Sequence, residues 1–128
     1  MLFVDAKVRV RYKETDQMGI VHHSNYYVWF EIGRTEYMRS QGLSYDEMER
    51  KGFMLPLTET YCKYIQGAIY DDIVIIRTRM TTFSGARLTM EYQVIREKDK
   101  CLLAEGKTVH GVTNKNLKPI NIKKADSE

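Results

Sequence analysis

Neither cysteine of this chain has a neighbour at metal-ligand spacing: Cys62 and Cys101 stand far apart, each in a strand-like run. That excludes a zinc cluster and a disulfide framework, and leaves two reduced, packed thiols. Long apolar runs are missing as well, and none approaches the roughly 20 residues a bilayer-spanning helix needs. Nothing at the start reads as a signal peptide, because Met1-Leu2-Phe3-Val4 is followed at once by Asp5, Lys7 and Arg9. A cytoplasmic location without membrane insertion is the expectation. No charge of one sign dominates: 20 Lys and Arg face 17 Asp and Glu, for a formal net charge of +3. Such scattered, nearly balanced charge does not make a nucleic-acid stripe, but it suits a small anionic ligand. Repeats and low-complexity segments are absent too.

What remains is globular composition, with 43% hydrophobic and 29% charged residues in 128. The length predicts one domain, residues 1–122, followed by a polar tail, 123–128. Lys7 to Tyr12 alternates with a period of two, placing Val8, Val10 and Tyr12 on one face of a half-buried strand. Loop chemistry follows from Glu14 to Gly19, and a helix is predicted from Ser24 to Gln41. At about 100° per residue, Tyr26, Trp29, Phe30, Gly33 and Tyr37 gather in one stripe. A stripe that aromatic must press on something broad, and Gly33 within it predicts close backbone approach. Gly42 ends the helix. Ser44 to Lys51 reads as a short capped helix. Strands are then predicted over Leu57–Ile65, Ile73–Thr81, Arg87–Arg96 and Leu102–Thr113, with turns at Ser84-Gly85 and Glu97–Lys100. Short turns join antiparallel neighbours, so the expectation is an α+β fold: one long helix on a five-stranded antiparallel sheet.

Reactive side chains crowd into the first loop. Asp16, Gly19, His22 and His23 precede a helix that opens with Asn25 and Tyr26. A loop carboxylate can serve as base or nucleophile, and free N–H groups at a helix start can hold an oxyanion. Turn formation explains Asp16 and Gly19 equally well from the residues alone. A metal is not expected, because adjacent histidines should point apart and no third ligand has useful spacing. Tyr26 belongs to the apolar stripe by position. His110 reads as packed or surface-facing, and Arg77 and Arg79 as solvated charge.

The run Val10-Arg11-Tyr12, Thr15-Asp16, Gly19, Val21, His23, Asn25-Tyr26-Tyr27, Phe30-Glu31 and Arg34-Thr35-Glu36 resembles the signature of hot-dog-fold acyl-CoA thioesterases. The nearest branch in this respect holds 4-hydroxybenzoyl-CoA thioesterase and the Tol–Pal-associated acyl-CoA thioesterases. Tyr70-Asp71-Asp72, the Ser84-Gly85 turn and Leu117-Lys118-Pro119 extend the similarity from about Val8 to Ile120. The resemblance implies a sheet wrapped around the long helix, in dimers or tetramers with the active site at the subunit interface. It implies hydrolysis of an acyl-CoA or acyl-carrier-protein thioester, without a metal or other cofactor. It makes Asp16 the catalytic carboxylate and the His23 N–H the oxyanion donor, with the His23 side chain positioning substrate or water. Glu31, Tyr26 and Arg87 become the substrate-binding candidates, Arg87 for the coenzyme A phosphates. Gly67 stands at or next to the place of a usual proline, and the turn before Arg87 lacks the basic residues of the hydroxybenzoyl enzyme. The rival functions are a non-catalytic acyl-CoA-binding module and a dehydratase of hydroxyacyl thioesters.

Overall fold

Alternation in the sequence becomes burial in the sheet. In β4 (Arg87–Arg96), Leu88, Met90, Tyr92 and Val94 are buried, while Thr89, Glu91 and Gln93 between them are not. β4 joins β1 (Val4–Arg9), β2 (Leu57–Tyr64), β3 (Ile73–Phe83) and β5 (Leu102–Gly111) in one antiparallel sheet, ordered β1-β3-β4-β5-β2. The structure is a computed structural model and describes residues 2–42, 48 and 50–121. The expected helix from Ser44 falls largely outside those residues, as does the tail beyond 121.

Helix α1 (Ser24–Ser40) lies on one face of the sheet. The predicted stripe of Tyr26, Trp29, Phe30, Gly33 and Tyr37 is its buried side, joined by Met38. Gly42 stops it in the left-handed region, at φ +76°, with its N–H on the Arg39 carbonyl. Close approach is real at Gly33: a Cβ there would press on Thr78 Oγ1 and lie 2.8 Å from Ile76 Cγ2. Gly106 of β5 is bare for the same reason, since a Cβ would enter the Phe30 ring. Phe30 in turn stacks on Tyr92, with ring centroids 4.4 Å apart. Arg77 and Arg79 lie away from the helix, paired with Asp5 and Glu91.

One strand ends earlier than its pattern predicts. β1 stops at Arg9, and Tyr12, expected on the buried face with Val8 and Val10, is 77% exposed. Glu14 explains this: its Oε1 accepts the Arg11 N–H at 2.7 Å and turns the chain into a 3₁₀ helix, Tyr12–Glu14. The β2–β3 connection is also not a local turn. Residues 65–72 must travel from one sheet edge to a strand three places away.

His110 is packed, as its strand position suggested, at 1% exposure. Its Nδ1 lies 3.1 Å from the Leu55 carbonyl, which can only accept, so Nδ1 carries the proton. Nε2 then accepts from Thr108 Oγ1 (3.0 Å), Thr108 from Tyr92 (2.7 Å), and Tyr92 from Arg34 (3.4 Å). Burial depresses the His110 pKa; the Leu55 bond opposes that and the Arg34 charge adds to it. A histidine in the unfolded chain titrates near about 6.5, above the folded value. Within that window the unfolded state binds more protons, so stability is full above it and declines as pH falls through it. Urea midpoints should therefore drop as the pH falls below the ordinary histidine range, and His110→Gln should flatten that part of the profile. Glu97 and Asp99, held low by hydrogen bonds to Lys7 and Arg96, lose their contribution only at more acid pH.

Candidate active site

The loop before α1 is wound by its own backbone. Thr15 bridges Val21, and inside that bridge the Asp16 N–H bonds the Ile20 carbonyl at 2.9 Å. Gly19, at φ +81°, returns its N–H to the Asp16 carbonyl at 3.0 Å. Asp16 Oδ1 accepts the Met18 N–H at 2.9 Å. Asp16 is thus a turn former, as its setting allowed, and its Oδ2 makes no hydrogen bond among the described residues.

A second wall closes on this loop. Val21 N–H bonds the Ala68 carbonyl at 2.9 Å, and Ile20 bridges Ile69. Gly67 permits the approach, because a Cβ there would lie 2.7 Å from Ile20 Cγ2. Between loop and crossing segment lies a cavity of about 280 Å³. Asp16, His23 and Tyr26 line it, facing Tyr64, Ile65, Gln66 and Gly67. The Tyr26 ring packs edge-on to Tyr64 at 5.1 Å, and Tyr64 lies edge-on to His23 at 6.3 Å. Burial raises the Tyr26 pKa, and burial with the Cys62 thiol beside it raises that of Tyr64. Both phenols are therefore neutral donors at physiological pH.

The start of α1 assigns its N–H groups unevenly. Ser24 N–H points to His22 Nδ1 at 3.3 Å, Asn25 N–H to the His22 carbonyl at 3.0 Å, and Tyr26 N–H to the His23 carbonyl at 3.1 Å. Ser24 Oγ also meets His22 Nδ1 at 2.8 Å, so the His22 ring acts as a cap. The His23 N–H has no partner among the described residues, and His23 is on the cavity wall. A carboxylate and a residue with an open amide thus line one small cavity, and acyl transfer draws on that kind of acceptor and donor.

The chain brings three of its five candidates together. Glu31 is exposed on the flank of α1, two turns beyond His23, and does not line this cavity. Arg87 is exposed at the start of β4, whose other end pairs near Leu102, towards the cavity side. Ten residues of strand put roughly 30 Å between those ends, so Arg87 cannot reach Asp16 within one chain. The histidines did not behave as expected either. Their rings lie side by side, with centroids 4.2 Å apart, because His23 is already helical in backbone. Among the described residues no group of three His, Cys, Asp or Glu gathers as for a metal ion. Sequence reading missed Tyr64, Ile65 and Gln66, which reach the cavity only through the crossing segment. Gly67, standing where a proline is usual, was the one signal available there.

Residues 10–125 match the sequence pattern of the thioesterase-like superfamily. The chain belongs to that superfamily. It is 32% identical to YneP of Bacillus subtilis (strain 168), a candidate acyl-CoA thioesterase, over 93% of this chain and 86% of that one. It is 30% identical to the acyl-CoA thioesterase YbgC of Haemophilus influenzae, over 70% and 66% of the two chains. Among solved structures, the DHNA-CoA thioesterase of Staphylococcus aureus superposes with a TM-score of 0.91 at 31% identity, over 97% of this chain and 83% of that one. The fold is the hot-dog fold of these thioesterases, and this member of the superfamily is a hydrolase. No helix among the described residues is long and apolar enough to cross a membrane.

Proposed function

We propose that this thioesterase hydrolyses an acyl-CoA thioester to the free acid and coenzyme A, with Asp16 as its reacting carboxylate. The observation that carries this is that Asp16 and His23 line one cavity, the His23 N–H having no partner among the described residues. A thioester carbonyl is electrophilic and its thiolate leaves readily, so a carboxylate and one oxyanion donor suffice without a Ser-His pair. Asp16 Oδ2 has two routes. It attacks the carbonyl carbon to give a mixed anhydride that water then opens, or it takes a proton from the water that attacks. A single turnover in ¹⁸O-water separates them, because only the anhydride route can leave label in Asp16. Neither route uses a metal or redox cofactor.

Glu31 and Arg87 enter this proposal from a second copy of the chain. β2 supports such a copy, since it is an edge strand of eight residues with Leu57, Tyr61 and Tyr64 all exposed. An edge that long and apolar needs covering, and a joined sheet covers it. Light scattering is expected to give a dimer or a tetramer built from two dimers. The Asp16-to-His23 spacing and the similarity to YbgC support the branch with the Tol–Pal-associated enzymes. The function is tested by thiol release across a panel of aliphatic and aromatic acyl-CoAs, with acyl-carrier-protein thioesters alongside. A protein inert on all of them would favour the non-catalytic binding module.

A further inference from the structure

Glu14 is the most buried carboxylate among the described residues, at 2% exposure, and the proposed hydrolysis does not use it. A buried charge needs partners, and those of Glu14 all belong to the site's scaffold. Oε1 accepts the Arg11 N–H at 2.7 Å, and Oε2 accepts the Trp29 indole N–H at 3.3 Å with the Arg11 guanidinium 3.5 Å away. Its main-chain carbonyl accepts the His22 N–H at 2.8 Å and the Asn25 side-chain amide at 3.0 Å. The residue therefore binds the first strand's end to the second turn of α1 and to the peptide just before His23. Asp16 follows it by two residues.

From this we infer that Glu14 is a positioning residue, holding the Asp16 carboxylate and the His23 N–H at their working separation. The inference rests on the thioesterase reading of that cavity. Its mechanism is geometric: the side chain ties the loop's start at Arg11 to α1 at Trp29, while the carbonyl bonds to His22 and Asn25 survive substitution, so losing the side chain lets the loop shift relative to α1. A displacement of about 1 Å costs up to about 100-fold in rate when reacting groups are otherwise in place. Stability alone would also bury a carboxylate here, and the two roles differ in what they do to kcat in a folded variant.

Glu14→Gln keeps the volume and an oxygen for the Arg11 N–H, but turns an amide N–H₂ towards the indole. Expected is a fall in kcat of about 10- to 100-fold at temperatures well below unfolding, with KM within about twofold. Trp29 is the only tryptophan, so its single indole N–H resonance in ¹H–¹⁵N spectra should move upfield as the bond is lost. Trp29→Phe removes the donor instead, and should act in the same direction. The double variant should lose little more than either single one, because both break one tether. If Glu14→Gln fails to fold, Trp29→Phe carries the kinetic test. Wild-type kcat in folded Glu14→Gln, or fully additive losses, would overturn the inference. An enzyme inert on every thioester would instead overturn the functional reading. The positioning claim would then be decided by the Asp16–Gly19 and His23 amide shifts of Glu14→Gln, and unchanged shifts would defeat it.

Discussion

Asp16→Asn is expected to lower kcat for the best acyl-CoA by about 10³-fold, with the thermal midpoint moving by no more than about 2 °C. The two halves of that result come from different atoms. The turn depends on main-chain bonds from Asp16 to Ile20 and Gly19, which any residue can make, and on Oδ1 accepting from Met18. An asparagine carries the same Oδ1, so the loop keeps its shape. What disappears is the charge and the nucleophilic or basic Oδ2 of a residue that lines the cavity. Asp16→Ala removes the turn acceptor too, so it should lose activity and some stability together. Asp16→Glu keeps the charge but moves it by one methylene, and belongs between wild type and Asn. Thiol release with circular dichroism on the same samples decides the matter. A folded Asn variant working at the wild-type rate would remove Asp16 from the chemistry.

Much of this site was legible because its chemistry is local in sequence. Asp16, His23 and Tyr26 lie within one loop and one helical turn, so spacing alone could bring them near each other. Alternation of side chains likewise gave β4 to the residue, while β3 and β5, which bury consecutive residues, were found from their apolar runs and flanking turns to within two residues. The failures were of another kind. Tyr12 continues the period of β1 perfectly, yet the chain turns before it, because a carboxylate three residues on captures the Arg11 N–H. No periodicity registers a side chain folding back on its own backbone. The far wall was hidden for a topological reason. β2 pairs with β5 rather than β3, so the segment leaving it crosses the sheet and passes the loop. That neighbourhood depends on strand order, which a run of short strands does not specify. Glu31 and Arg87 show the remaining limit: neither lines the cavity within one chain, and their proposed place there depends on a second copy.

Gly33→Ala carries the largest expected effect on stability, and it also reaches the site. In an exposed helix the change would help, by about 1 kcal/mol of propensity. Here the new methyl would meet Thr78 Oγ1 and Ile76 Cγ2, both on β3 in the middle of the sheet. Neither neighbour can swing aside, because both are fully buried in a paired strand. The helix must lift instead, at a cost of about 3 kcal/mol, so the net loss is about 2 kcal/mol. For a chain of this size that lowers the thermal midpoint by roughly 5–10 °C. Thr78 offers a control, since its Oγ1 is buried without a hydrogen-bond partner among the described residues. Thr78→Ala removes the nearer of the two atoms that the alanine strikes and leaves Ile76 Cγ2, so the double variant should be less destabilised than the sum of the two changes. Additive losses would mean that the Gly33 contact is not the cause. Lifting α1 also moves His23, which caps its start and lines the cavity. The Gly33→Ala enzyme should therefore lose kcat even where it is fully folded, and Thr78→Ala should restore part of both properties together.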